Sequence, residues 1–167
     1  MECSALITIR RIELADPLYT SERALRERVL FKPLGLSMAR FETEFPGVEQ
    51  RYEHFVAVMD HPTGPLVIGC AGLLVGDPGP NEGRLLQMAV DPQRQGEGIG
   101  RRLVVAIESR AFGVKDLRRL SCHAREPVAA FYRGLGWHNQ GDPFDEIGIP
   151  HRLLVLDRPT IPPVRPR

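Results

Sequence analysis

The chain has 167 residues with 43% hydrophobic and 26% charged content, which suits one soluble globular domain able to bury a core. A net charge of +1 gives no global attraction to nucleic acid or to an anionic membrane, and neither is expected as a partner. Cys3, Cys70 and Cys122 are too widely spaced for zinc-finger or redox pairs, and no two histidines stand at i, i+4, so neither a disulfide framework nor a metal site is expected.

Met1 to Leu14 carries Glu2, Arg10, Arg11 and Glu13 and lacks the apolar stretch of a signal peptide. The most apolar run, Leu66 to Val75, is too short to cross a bilayer. With sparse, unpaired cysteines, these features lead to the expectation of a cytoplasmic protein.

Leu6 to Ile9 is rich in β-branched residues and predicts a first strand. Asp16-Pro17 predicts a helix start, with Asp16 as N-cap and Pro17 at the first helical position; Pro33 and Gly35 stop that helix. A second short helix is expected within Ser37 to Arg51, broken near Pro46-Gly47. Phe55 to Met59 and Leu66 to Val75 read as strands of one hairpin around the turn at Asp60 to Pro65. Asp77 to Gly83 reads as a loop, and Leu85 to Val90 as a strand ended by Asp91-Pro92.

Gly98 to Phe112 predicts a helix with Leu103, Val104, Ile107 and Ala111 on its apolar face and Gly113 as its stop. A strand over Leu117 to Cys122, a short helix over Glu126 to Arg133 closed by Gly134 and Gly136, and a last strand over Leu153 to Leu156 follow. The expected organisation is one α/β domain over residues 1–157 and a Pro/Arg-rich, extended tail over 158–167.

The chemistry concentrates in Met88-Ala89-Val90-Asp91-Pro92-Gln93-Arg94-Gln95-Gly96-Glu97-Gly98-Ile99-Gly100-Arg101, which runs strand, loop, alternating glycines, helix. A helix N-terminus offers unpaired N–H groups and the positive end of its dipole, and glycines let the backbone close on an anion. Together they make a phosphate cradle. A nucleotide P-loop would need Lys-Ser/Thr after Gly100, where Arg101-Arg102 stand; a dinucleotide fingerprint from Gly96 would need glycine at Arg101. The plain alternative, a mere strand-to-helix connector, leaves the glycines' entropic cost without a return.

Gln95-x-x-Gly98-x-Gly100 resembles the pyrophosphate-binding signature of the GNAT acetyltransferase superfamily. Ala130-Phe131-Tyr132-Arg133-Gly134-Leu135-Gly136-Trp137 is similar to that family's Phe-Tyr-x-x-x-Gly-Phe/Trp element, in the family's order and at about its spacing. The resemblance spans roughly Leu6 to Leu156. A finer likeness, Asp145 to His151 with its Gly-Ile-Pro-His, is to the ElaA-like bacterial branch.

The resemblance implies a mixed, mostly antiparallel sheet, splayed in the middle and flanked by helices. It implies acetyl-coenzyme A as co-substrate, bound by the main chain of Met88, Ala89 and Val90 and by the turn from Gln95 through Gly96, Glu97, Gly98, Ile99 and Gly100 to Arg101. Arg125 stands where the family often has an asparagine touching the pantetheine. The activity implied is transfer of an acetyl group to a primary amine, small molecule or peptide, by direct attack in a ternary complex. The alternative is a non-catalytic module that binds acyl-coenzyme A. Tyr132 matches the family's acid, the alternative being a packing role. For the base the candidates are His123, Glu126, Glu146 and His151, with His151 first on the Gly-Ile-Pro-His likeness. Cys122, near the expected thioester, reads as a packing thiol before a covalent nucleophile. No feature requires a homodimer, and none excludes it.

Overall fold

The computed structural model describes residues 5–160. Its eight strands form one sheet, β1 (Ile7–Ile12), β2 (Glu53–Met59), β3 (Leu66–Val75), β4 (Glu82–Val90), β5 (Arg119–Arg125), β6 (His138–Asn139), β7 (Phe144–Glu146) and β8 (Ile149–Asp157). The order is β1-β2-β3-β4-β5-β8-β6, with β7 also on β8. Every pairing is antiparallel except β4 with β5.

Four α-helices cover the sheet: α1 (Leu18–Arg26), α2 (Met38–Glu44), α3 (Ile99–Glu108) and α4 (Glu126–Gly134). Strand β2 explains the layering. Its side chains alternate faces, so Phe55, Ala57 and Met59 join the core under α3 and α4. Val56 and Val58 join the core under α1. A strand buried on both faces must sit centrally between helical layers.

Asp16 does cap α1: its Oδ1 accepts the Leu18 N–H at 2.9 Å, and Pro17 already has helical dihedrals. The helix continues as a π-turn over Glu27–Phe31 and a 3₁₀ turn over Lys32–Leu34, ending at Gly35 as expected. Ser37 caps α2 through the Arg40 N–H. The expected apolar face of α3 is fully buried. Gly113, by contrast, is not the stop: a π-turn carries the chain through Ser109–Val114, and the left-handed position falls at Asp116, φ +54°. Strand β5 begins two residues later than expected, and β6 and β7 lie in a stretch without an expected strand. Arg158 N–H still bonds the Arg118 carbonyl at 2.8 Å, beyond the expected domain boundary. Residues 161–167 of the expected tail lie outside the described residues. Among the described residues no helix is long and apolar enough to cross a membrane.

Candidate active site

The sheet splits where β4 meets β5. They pair only at Glu82↔Arg119, Gly83↔Leu120 and Arg84↔Ser121; beyond that the strands part. A bulge deepens the wedge. Leu86 pairs with Gly72 and Ala89 with Cys70, so Gln87 and Met88 together face Ala71. Gln87 takes the strained φ of +54°, and the ladder breaks there. The expected main-chain binding residues Met88, Ala89 and Val90 lie on this diverging end of β4.

The glycine turn follows directly. Asp91 accepts the Gln93 N–H at 3.0 Å and holds Arg28 at 3.1 Å, fixing the exit from β4. Gly96 and Gly98 have φ of +84° and +79°, with open space where side chains would stand. Gly98 is the N-cap of α3, and no side chain caps that terminus. Its amides are therefore available to a phosphate. Packing holds α3 in place: a Cβ on Gly69 of β3 would sit 2.9 Å from Ile99 and 3.1 Å from Leu103. Of the nearby cations, Arg102 bonds the Ile7 carbonyl and Arg94 leans on Glu97. Among the described residues Arg101 has no such partner. An uncapped helix start with an open, positive-φ approach fits the pyrophosphate of coenzyme A.

Helix α4 ends so as to seat Tyr132 and Trp137. The Trp137 N–H bonds the Tyr132 carbonyl at 3.1 Å and the Gly136 N–H bonds Arg133 at 3.1 Å, a Schellman closure with Gly136 at φ +93°. The two rings meet across it at 5.2 Å, and the indole donates to Glu108 at 3.0 Å. Tyr132 is only 2% exposed yet lines a cavity of about 260 Å³ in the wedge. Burial, and then the neighbouring Cys122, pushes its phenol well above the ordinary value. Among the described residues its hydroxyl has no hydrogen-bond partner. Burial pushes the Cys122 thiol up to about 12, so it stays protonated and packs.

Two of the base candidates face the carboxylate of a third, Glu146. His123 Nδ1 lies 3.0 Å from Glu146 Oε1, and His151 Nε2 lies 3.4 Å from Glu146 Oε2. His151 directs Nδ1 to the Ile149 carbonyl at 2.7 Å, and its Nε2 faces Glu146 without a hydrogen bond. The fourth candidate, Glu126, is held between Arg152 at 2.7 Å and Arg133 at 3.4 Å, away from this group. Arg125 is the N-cap of α4 without a side-chain cap bond and lines the same cavity. Two features are not legible in the sequence. Glu146 meets His123 and faces His151, and no local spacing joins the three. Gln87 stands out in the sequence only as the one polar residue of Leu85 to Val90. Among the described residues no group of three or more His, Cys, Asp or Glu is placed to hold a metal ion.

A family model described as "Acetyltransferase (GNAT) family" matches residues 18–137. Solved structures agree on the fold. A candidate N-acetyltransferase from Lactobacillus plantarum superposes with a TM-score of 0.74 at 22% identity, covering 90% of this chain and 97% of the other. An IAA acetyltransferase from Bacillus cereus gives 0.66 at 22%, covering 92% and 100%. A GNAT family acetyltransferase from Elizabethkingia anophelis, solved with acetyl-CoA bound, gives 0.64 at 19%, covering 91% and 98%.

Proposed function

The chain belongs to the GNAT acetyltransferase family, and on that premise we propose that it transfers an acetyl group from acetyl-coenzyme A directly to a primary amine held in the β4/β5 wedge. One observation carries the reading. A single cavity brings together Tyr132, the diverging Met88 and a histidine oriented by a carboxylate.

The co-substrate supplies an acetyl group already activated as a thioester. The amides of Gly96, Gly98, Ile99, Gly100 and Arg101, on the turn that includes Gln95 and Glu97, would hold its pyrophosphate. The main chain of Met88, Ala89 and Val90 would hold its pantetheine arm. The acetyl-CoA-bound relative supports this choice of co-substrate.

His123 is the base in this proposal, in preference to His151. Its Nδ1–H donates to Glu146, which leaves the Nε2 lone pair to take the proton of the attacking amine. His151 is the less suited, because its Nδ1 is on the Ile149 carbonyl and its Nε2 faces the Glu146 carboxylate at 3.4 Å rather than the open cavity. The amine nitrogen forms the C–N bond as the C–S bond breaks. Tyr132, kept neutral by burial, donates to the sulfur as it becomes a thiolate. Its phenol is the weaker acid of the two, so its main contribution is a hydrogen bond that strengthens as charge develops. Solvent then removes the proton from His123 and resupplies Tyr132. The buried free thiols Cys70 and Cys122 support a reducing, cytoplasmic setting.

The test is a calorimetric titration with acetyl-coenzyme A followed by a thiol-release assay over an amine panel. Binding with release supports the proposal. Binding without release for any amine overturns it and supports an acyl-coenzyme A-binding module.

A further inference from the structure

Next to the transfer cavity the wedge opens into a larger one of about 450 Å³, between the α1/α2 layer and β4. The two share Gln87, His123, Glu146 and Ile147, and form one continuous cleft. One wall is a run of rings, Phe31 to Phe41 and Phe41 to Phe45, each pair at 5.4 Å between centroids.

Three features of this cleft carry a cost that core packing does not offset. Ile147 and Gly148 form the two-residue turn between β7 and β8, with φ of +54° and +69°. That turn suits Asn-Gly, and a β-branched residue is its poorest occupant. Ile147 is also 71% exposed, so no core contact explains it. Phe45 is likewise 53% exposed on the aromatic wall. Gln87 Oε1 is buried without a partner, on the strained bulge residue. Strain and orphaned polar atoms concentrate where a ligand completes the site.

Two arginines of the cleft are paired, Arg40 with Glu44 at 2.9 Å and Arg84 with Asp77 at 2.7 Å, and Glu146 takes His123 Nδ1 at 3.0 Å. Arg125, also on the cleft, has no ion-pair partner among the described residues and disfavours a second ammonium group.

We propose that the acceptor is a primary amine carried on a bulky apolar body. The body lies between the Phe31–Phe41–Phe45 wall and Ile147, and the amine N–H donates to Gln87 Oε1. This rests on the acetyl-transfer reading of the same cleft and names its substrate class.

The experiment measures binding without turnover, by calorimetry on protein saturated with coenzyme A. The probes are 2-phenylethylamine and 1,4-diaminobutane, on the wild type and on Ile147→Asn. Asparagine suits the turn, so the variant should melt at the same temperature or higher. The wild type should bind the arylalkylamine at least about tenfold more tightly than the diamine. Ile147→Asn should narrow that ratio by about threefold or more. Equal or tighter binding of the diamine overturns the proposal, as does no binding of the arylalkylamine at millimolar concentration or an unchanged ratio in the variant. Arylalkylamine preference without thiol release from acetyl-coenzyme A would sink the transfer reading alone. Thiol release that favours the diamine would sink the substrate class alone.

Discussion

Arg26 and Glu49 form a two-pronged ion pair inside the protein, Nη1 to Oε1 at 3.0 Å and Nη2 to Oε2 at 2.7 Å. Tyr52 and Tyr19 donate to the same carboxylate at 2.6 and 2.7 Å. The group ties α1 to the segment leading into β2. Burial alone would raise the Glu49 carboxyl, but Arg26 and the two phenols bring it down to about 2 from 4.5. A depressed carboxyl stabilises the fold above its unfolded value and loses that contribution as pH falls. The wild type should therefore lose stability from pH 4.5 towards pH 2. Glu49→Gln should flatten that dependence and cost about 1–3 kcal/mol near neutrality, because it removes the bidentate carboxylate of a buried arginine and leaves Glu22 at 3.6 Å as its charged partner. Urea denaturation across pH reads both.

His54 gives the opposite slope. Its Nδ1 faces both Glu22 oxygens at 3.0 and 3.1 Å, and its Nε2 faces the Glu49 carbonyl at 2.9 Å. Both partners only accept, so both ring nitrogens must donate. Burial would lower its pKa, but the Glu22 contacts win and raise it above 6.5. The stabilisation is full below pH 6.5 and fades as pH rises through the folded value. His54→Leu should lose that alkaline fall, at a cost of about 1–3 kcal/mol. A proton NMR titration of the imidazole gives the folded value directly.

Tyr132→Phe should lower kcat by about 10- to 100-fold and leave acetyl-coenzyme A affinity nearly unchanged. Its hydroxyl makes no described protein hydrogen bond, so the melting temperature should hardly move. Steady-state kinetics and a thermal melt on the same sample make the check; undiminished turnover removes Tyr132 from the chemistry.

His123→Gln should cut kcat/KM by about 100-fold. Glu146→Gln should produce a smaller loss, since a neutral amide still accepts from Nδ1. Steady-state kinetics on both variants make the check; undiminished kcat/KM in His123→Gln would assign the base elsewhere.

Gly98→Val should weaken acetyl-coenzyme A binding by at least about tenfold, because a β-branched residue resists φ +79° and fills the open cradle. Calorimetry on the folded variant decides; retained affinity removes the turn from pyrophosphate binding.

The glycine turn and the Schellman end of α4 were legible because each depends on local backbone demands that leave residue signatures. Strand β3 was legible end to end as an apolar run between turns. The short strands β6 and β7 were not, since two or three residues cannot display a period. Glu22 and Arg26 stand at i, i+4, the spacing of an ordinary solvent-facing pair, yet both are buried. Only the distant Glu49, Tyr52 and His54 make that burial tolerable, and nothing local announces them. The same holds for Glu146, whose partners lie 23 and 5 residues away on neighbouring strands.

Trp137 is the sole tryptophan of the chain, 2% exposed, with its ring 5.2 Å from that of Tyr132. Its emission is therefore a single-source optical signal, blue-shifted in the native state and sensitive to the ring beside it. The protein carries its own fluorophore one ring away from the Tyr132 cavity, so a change in that emission on adding acetyl-coenzyme A reads, without a label, whether the wedge takes up the co-substrate.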